Sequence, residues 1–145
     1  GFVENYIKKN NLDNILFLNE VPHEELPELY TQCNYGLILL DLNLRTHNIP
    51  GKFLSYLYAG LPVFASINKG NDLEKIIDEY ELGKYSSDDN CNDVAMKMIE
   101  LAAISYDREK NKEKSMILLE KRFSPNSAAT KIMDSLFRDD DKSDY

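Results

Sequence analysis

The sequence predicts an α/β protein: a parallel sheet with helices on its faces, followed by a helical C-terminal part. Two observations lead there. Short apolar runs bounded by Asn, Asp and Pro recur at residues 15–18, 35–40 and 63–66, as buried parallel strands tend to do. Between them lie stripes at helical spacing, Leu26, Leu29, Tyr30 and Cys33, then Leu73, Ile76, Ile77 and Tyr80. Strands that alternate with helices imply a parallel sheet with right-handed crossovers. At 145 residues the chain is long enough to bury one real core. The expected division is one domain over residues 1–137 and a charged tail over residues 138–145.

Taken in order, the run at 15–18 gives a strand, and Pro22 to Tyr30 gives a helical segment after it. Residues 35–40 form the next strand, with Cys33 just before it read as core. A helix of about ten residues follows. Pro50 suits its first turn, where a missing N–H costs nothing, and Gly60 suits the left-handed position past its end. Phe53, Leu54, Leu57 and Tyr58 form its core stripe, and Lys52, Ser55, Tyr56 and Ala59 a second stripe. Val63 to Ser66 is the strand it feeds. Asn71 and Asp72 open another helix, with Glu74 placed as in a capping box. A fourth, shorter strand falls around residues 84–87, after Gly83. From about Asn92 the strands stop and three helices remain, over 94–104 with Met98 and Leu101, over 107–122, and over 126–137. The segment from Arg138 to Tyr145 has no apolar period and reads as a disordered, acidic, solvating tail.

Composition narrows the function classes. A net charge of -8 argues against non-specific nucleic-acid binding and against direct adhesion to an anionic membrane. No apolar run approaches the roughly 20 residues that span a bilayer. The first residues mix Glu4 with Lys8 and Lys9 and resemble no signal peptide. Cys33 and Cys91 are far apart and lack partners at metal-ligand spacing, so reduced thiols in a cytoplasmic protein are expected. His23 and His47 stand alone, and no metal site is expected.

The ligand of an open parallel sheet sits at the carboxyl ends of its strands. On that rule the informative loops are 19–24, 41–50 and 66–72. The second contains Arg45, Thr46 and His47 ahead of the helix that starts at Pro50, Gly51 and Lys52. Free N–H groups and a partial positive charge at that helix start offer a place for phosphate. Lys52, one residue into the helix, is unfavourable there without an anion to offset it.

The segment Pro50-x-Lys52-x-x-x-Tyr56-x-x-x-Gly60-x-Pro62-Val63 resembles the donor-binding signature of glycosyltransferase family 4 and its GT-B relatives. The runs at 14–19, 22–30 and 33–40, the Gly70-to-Ile77 stretch, Gly83 and Arg122-Phe123-Ser124 follow in that family's order. The resemblance covers roughly residues 1–137. It implies the C-terminal half of a GT-B fold, a Rossmann-like sheet here truncated at its N-terminus, and a donor of UDP- or GDP-linked sugar. It implies donor or phosphate binding by Pro50, Gly51, Lys52 and Ser55, and base contacts through Asn19, Glu20 and Val21. The donor sugar would meet Asn68, Gly70 and Asn71, and His47 and Arg45 would be the catalytic pair. The acceptor, a glycan or a lipid-linked glycan, would be held by a preceding domain, so this chain alone is expected to be inactive. Bacterial surface polysaccharide synthesis, such as O-antigen or capsule, at the inner face of the membrane is the implied setting, with only indirect membrane association and no cofactor.

The sequence also departs from that family. Many members place two glutamates eight residues apart, and the matching positions here are His47 and Ser55. Neither is acidic. Ser55 can offer one hydrogen bond where a carboxylate accepts two. His47 reads either as a hydrogen-bonding partner for the donor sugar or as a solvated loop residue. A non-catalytic nucleotide-binding or regulatory subunit therefore stays open, as does a flavodoxin-like interaction module. The latter lacks the acidic cluster that a receiver domain carries after its first strand.

Overall fold

The computed structural model describes residues 1–43 and 49–125. Arg45, Thr46 and His47, the 126–137 helix and the 138–145 tail lie outside the described residues. Among those described, the order is α1 (Phe2–Lys9), a 3-10 turn (His23–Glu25), α2 (Leu26–Thr31), β1 (Gly36–Leu39), α3 (Gly51–Tyr58) and β2 (Val63–Ser66). Then come α4 (Asp72–Tyr80), β3 (Gly83–Ser86), α5 (Cys91–Ala103), α6 (Arg108–Leu118) and a π-helical stretch (Leu119–Phe123).

The three strands form one parallel sheet in the order β1-β2-β3. Gly36 pairs with Val63 and Val63 with Gly83, so β2 is central. This is the α/β architecture that the alternation predicts, compatible with a Rossmann-like fold. Side chains in register share a face. Ile38, Val63 and Ala65 point to the layer of α3, α4 and α6, where they meet Phe53, Leu57, Leu73, Ile76, Ile77 and Leu118. Burying each such side chain contributes about 1.5–3 kcal/mol relative to leaving it in water. On the other face α5 packs on β3 and β2. Its Asp93 accepts a 2.6 Å hydrogen bond from the Ser86 hydroxyl, and its Glu100 reaches Lys84.

Local chemistry sets the helix boundaries. Asn71 caps α4 by accepting from the Leu73 amide, Asn90 caps α5 from Asn92, and Asp107 caps α6 from Glu109 and Lys110. Gly60 takes φ +67 just past α3, the left-handed residue expected there. Gly83 has φ +154, and a Cβ on it would lie 1.8 Å from the Val63 carbonyl oxygen, so only glycine lets β3 approach β2.

Several expectations need correction. Residues 15–18 form no strand: Leu16 is 81% exposed and the run lies outside the ladder. An apolar run becomes a strand only when a neighbour pairs with it, and β1, at the sheet edge, has no partner on its outer side among the described residues. Tyr58 is 61% exposed rather than core, and Cys33 is half-buried. Pro50 is the extended cap of α3 rather than a residue of its first turn. Tyr56, placed on the second stripe, is structural. Its ring lies over Gly36, its hydroxyl donates to the Leu37 carbonyl at 3.2 Å, and Tyr30 meets it edge-on at 5.5 Å. The Glu74 carboxylate also accepts from the Gly70 amide at 3.0 Å. The predicted helix over 107–122 starts at Arg108 and widens into the π-helical stretch after Leu118.

Candidate functional site at the carboxyl ends of the strands

All three strands run the same way, so the segments that follow them gather at one rim of the sheet. These are Asp41 to Asn43 with the start of α3 after β1, Asn68 to Asn71 after β2, and Ser87 to Asp89 after β3. Rims of this kind are where open parallel sheets bind ligands.

The start of α3 carries the positive end. Pro50 is extended (φ -62, ψ 138), and the first intrahelical bond runs from the Phe53 amide to the Pro50 carbonyl at 2.9 Å. The Gly51 and Lys52 amides belong to the first turn and have no partner within the helix. No acidic side chain lies in that turn to neutralise it. Lys52 is exposed, so its ammonium adds to the dipole end.

The loop after β2 is held from within. Asn68 and Asn71 are buried, and their side chains bond each other at 3.0 Å. The Asn71 amide donates to the Asn68 carbonyl, and the Asn71 carboxamide oxygen caps α4. The Gly70 amide is given to Glu74. This spends the polar groups of Asn68, Gly70 and Asn71 on the shape of the loop. The exposed elements are Lys69 and the backbone of Gly70, where φ is +81 and a Cβ would meet nothing within 4 Å.

The rim also carries acidic side chains. A cavity of about 480 Å³ is lined by Asp41, Leu42, Asn43, Ser87, Asp88 and Asp89. Asp41 accepts from the Asn43 amide and carboxamide, and Asp88 accepts from the Asn90 amide, which fixes two of the three carboxylates as turn-makers. Among the described residues the segments at this rim thus carry both signs of charge, Lys52 and Lys69 beside Asp41, Asp88 and Asp89. Among the described residues no three His, Cys, Asp or Glu side chains are grouped as metal ligands.

Asn19, Glu20 and Val21 precede the 3-10 turn at His23 and follow no strand of this sheet. Ser55 lies one helical turn past Gly51 and lines a second cavity, between α2, α3 and α6. Sequence reasoning missed two residues of α6. The Arg108 guanidinium donates to the Tyr30 carbonyl at 3.4 Å, to that of Thr31 at 3.1 Å and to that of Cys33, which caps the end of α2. Buried Asn111 donates to the Gly60 carbonyl at 3.0 Å and holds the turn that ends α3. Both act across more than 50 positions of sequence, where no local pattern points to the partner. Compared with protein-family models, with curated proteins and with solved structures, the chain gives no match.

Proposed function

We propose that this chain is the donor-binding domain of a glycosyltransferase, which moves a sugar from a nucleotide diphosphate to a glycan or lipid-linked acceptor. The observation that carries the reading is the start of α3. It sets backbone amides that have no partner among the described residues, and the Lys52 ammonium, at the carboxyl end of a parallel sheet, with no acidic side chain in the turn. That arrangement suits a diphosphate. In transfer, amides and a lysine there would stabilise the negative charge that develops on the departing nucleotide diphosphate. The domain would work in bacterial surface polysaccharide synthesis at the cytoplasmic side of the membrane, with the acceptor held by a further domain. Among the described residues no helix is long and apolar enough to cross a membrane, and indirect association is what the proposal requires.

A second reading is favoured by the residues at positions 47 and 55. Histidine and serine stand where a donor-binding carboxylate pair is found in the family that the sequence resembles. A non-catalytic nucleotide-binding subunit would keep the phosphate site without that pair. Titration calorimetry of Lys52→Ala with UDP and GDP tests what both readings share. A lost charge-assisted hydrogen bond weakens binding by about 1–3 kcal/mol, or roughly 5- to 150-fold. Unchanged affinity in the variant overturns both readings, and tight donor binding without turnover in the presence of an acceptor domain selects the second.

A further inference from the structure

We propose that the cavity between α2, α3 and α6 is a binding site for a small aromatic carboxylic acid, separate from the strand-end rim. The cavity measures about 480 Å³, within the range of small-molecule pockets. Its apolar walls come from Leu26, Pro27, Tyr30 and Tyr58, which offer flat surface for a ring. Ser55 supplies a hydroxyl from α3 that forms no hydrogen bond among the described residues.

The charge of the walls points to an anion. Arg108 and Lys112 face one carboxylate, Glu109, an excess of one positive charge in a chain whose net charge is -8. Arg108 is fixed by its bonds to the carbonyls of Tyr30, Thr31 and Cys33 and acts as a stationary charge. Lys112 stands one turn further along α6, and its ammonium makes no ion pair among the described residues. It is the group free to meet a carboxylate. Three helices bound the cavity, with no free strand edge to take an extended peptide, so the occupant is a small molecule rather than a chain segment. The site stands independently of the nucleotide reading, because the start of α3 opens on the rim and not on this cavity.

Amide NMR titration of the full chain tests it, with indole-3-carboxylate as probe and indole-3-methanol as its neutral counterpart. The expected result is saturable shifts centred on Ser55, Tyr58 and Lys112, with the acid bound more tightly than the alcohol. Lys112→Ala, a change at an exposed position, should weaken the acid about tenfold and leave the alcohol unchanged. Ala59→Leu, which adds bulk to the wall, should weaken both while the circular dichroism spectrum stays native. Equal binding of acid and alcohol overturns the proposal. So does an unchanged affinity in Lys112→Ala, the absence of saturation, or a shift of these residues by UDP or GDP but not by the acid.

Discussion

Asn111→Ala removes the side-chain hydrogen bond from α6 to the turn that ends α3. The buried Asn111 carboxamide donates to the Gly60 carbonyl at 3.0 Å. A neutral buried hydrogen bond contributes about 1 kcal/mol net, and a carbonyl left buried without a donor costs about 1–3 kcal/mol more. The expected loss is therefore about 2–4 kcal/mol, a large part of the roughly 5–15 kcal/mol that holds a domain folded. Urea unfolding followed by circular dichroism reads it directly. With a slope of about 2 kcal/mol/M, the midpoint should fall by about 1–2 M while the slope stays constant. Asn111→Asp should do at least as badly, because a carboxylate oxygen then faces the Gly60 carbonyl. A midpoint within about 0.3 M of the parent for Asn111→Ala would refute the reasoning.

Gly83→Ala should be worse still, about 3 kcal/mol or more, since φ +154 is strained for alanine and the Cβ would sit 1.8 Å from the Val63 carbonyl oxygen. Its thermal midpoint, compared with that of Gly51→Ala, where a Cβ meets nothing within 4 Å, separates this clash from an ordinary glycine effect. Asp93 is held below the usual carboxylate range by the Ser86 hydroxyl first and by Lys97 second. Its contribution is present above the ordinary carboxylate pKa and is lost as pH falls through the lowered folded value. A carbon-detected carboxyl titration should show the Asp93 pKa rising in Ser86→Ala. Burial, with Tyr30 adding to it, raises the Tyr56 hydroxyl above its ordinary value of 10.0. The neutral hydroxyl is the stabilising form, so this contribution is complete below pH of about 10 and disappears as pH rises through the folded value. In Tyr56→Phe one part of the tyrosinate absorbance that titrates above the ordinary tyrosine range should vanish, while those of Tyr85 and Tyr106, raised by burial as well, remain.

Alternation and capping were readable in the chain, because each depends on neighbours a few positions away. Val63 to Ser66, the Asn71 cap, the left-handed Gly60 and the short strand after Gly83 all stand where local chemistry puts them. Residues 15–18 show what such patterns leave out. Their apolar character suits a strand, yet pairing needs a partner, and among the described residues the sheet ends at β1. Tyr56 and Tyr58 exchanged roles for a related reason. Periodicity marks a stripe on α3 but cannot reveal that Gly36 leaves room for a ring on β1. At the candidate site, Lys52 and the first-turn amides of α3 follow from the position of Pro50. The acidic side chains of the rim and the grip of Arg108 on α2 arise from segments far apart in sequence, and spacing alone carries no sign of them.

The central claim is that the start of α3 receives the diphosphate of a nucleotide. Amide NMR titration of this chain with UDP, GDP and their sugars tests it most directly. Saturable shifts are expected at Gly51, Lys52 and Phe53, with smaller ones at Lys69 and Gly70 and none at Asp88 and Asp89. Saturation at these residues by one nucleotide series would also name the base. A folded chain whose α3 amides do not move at millimolar nucleotide would contradict the claim.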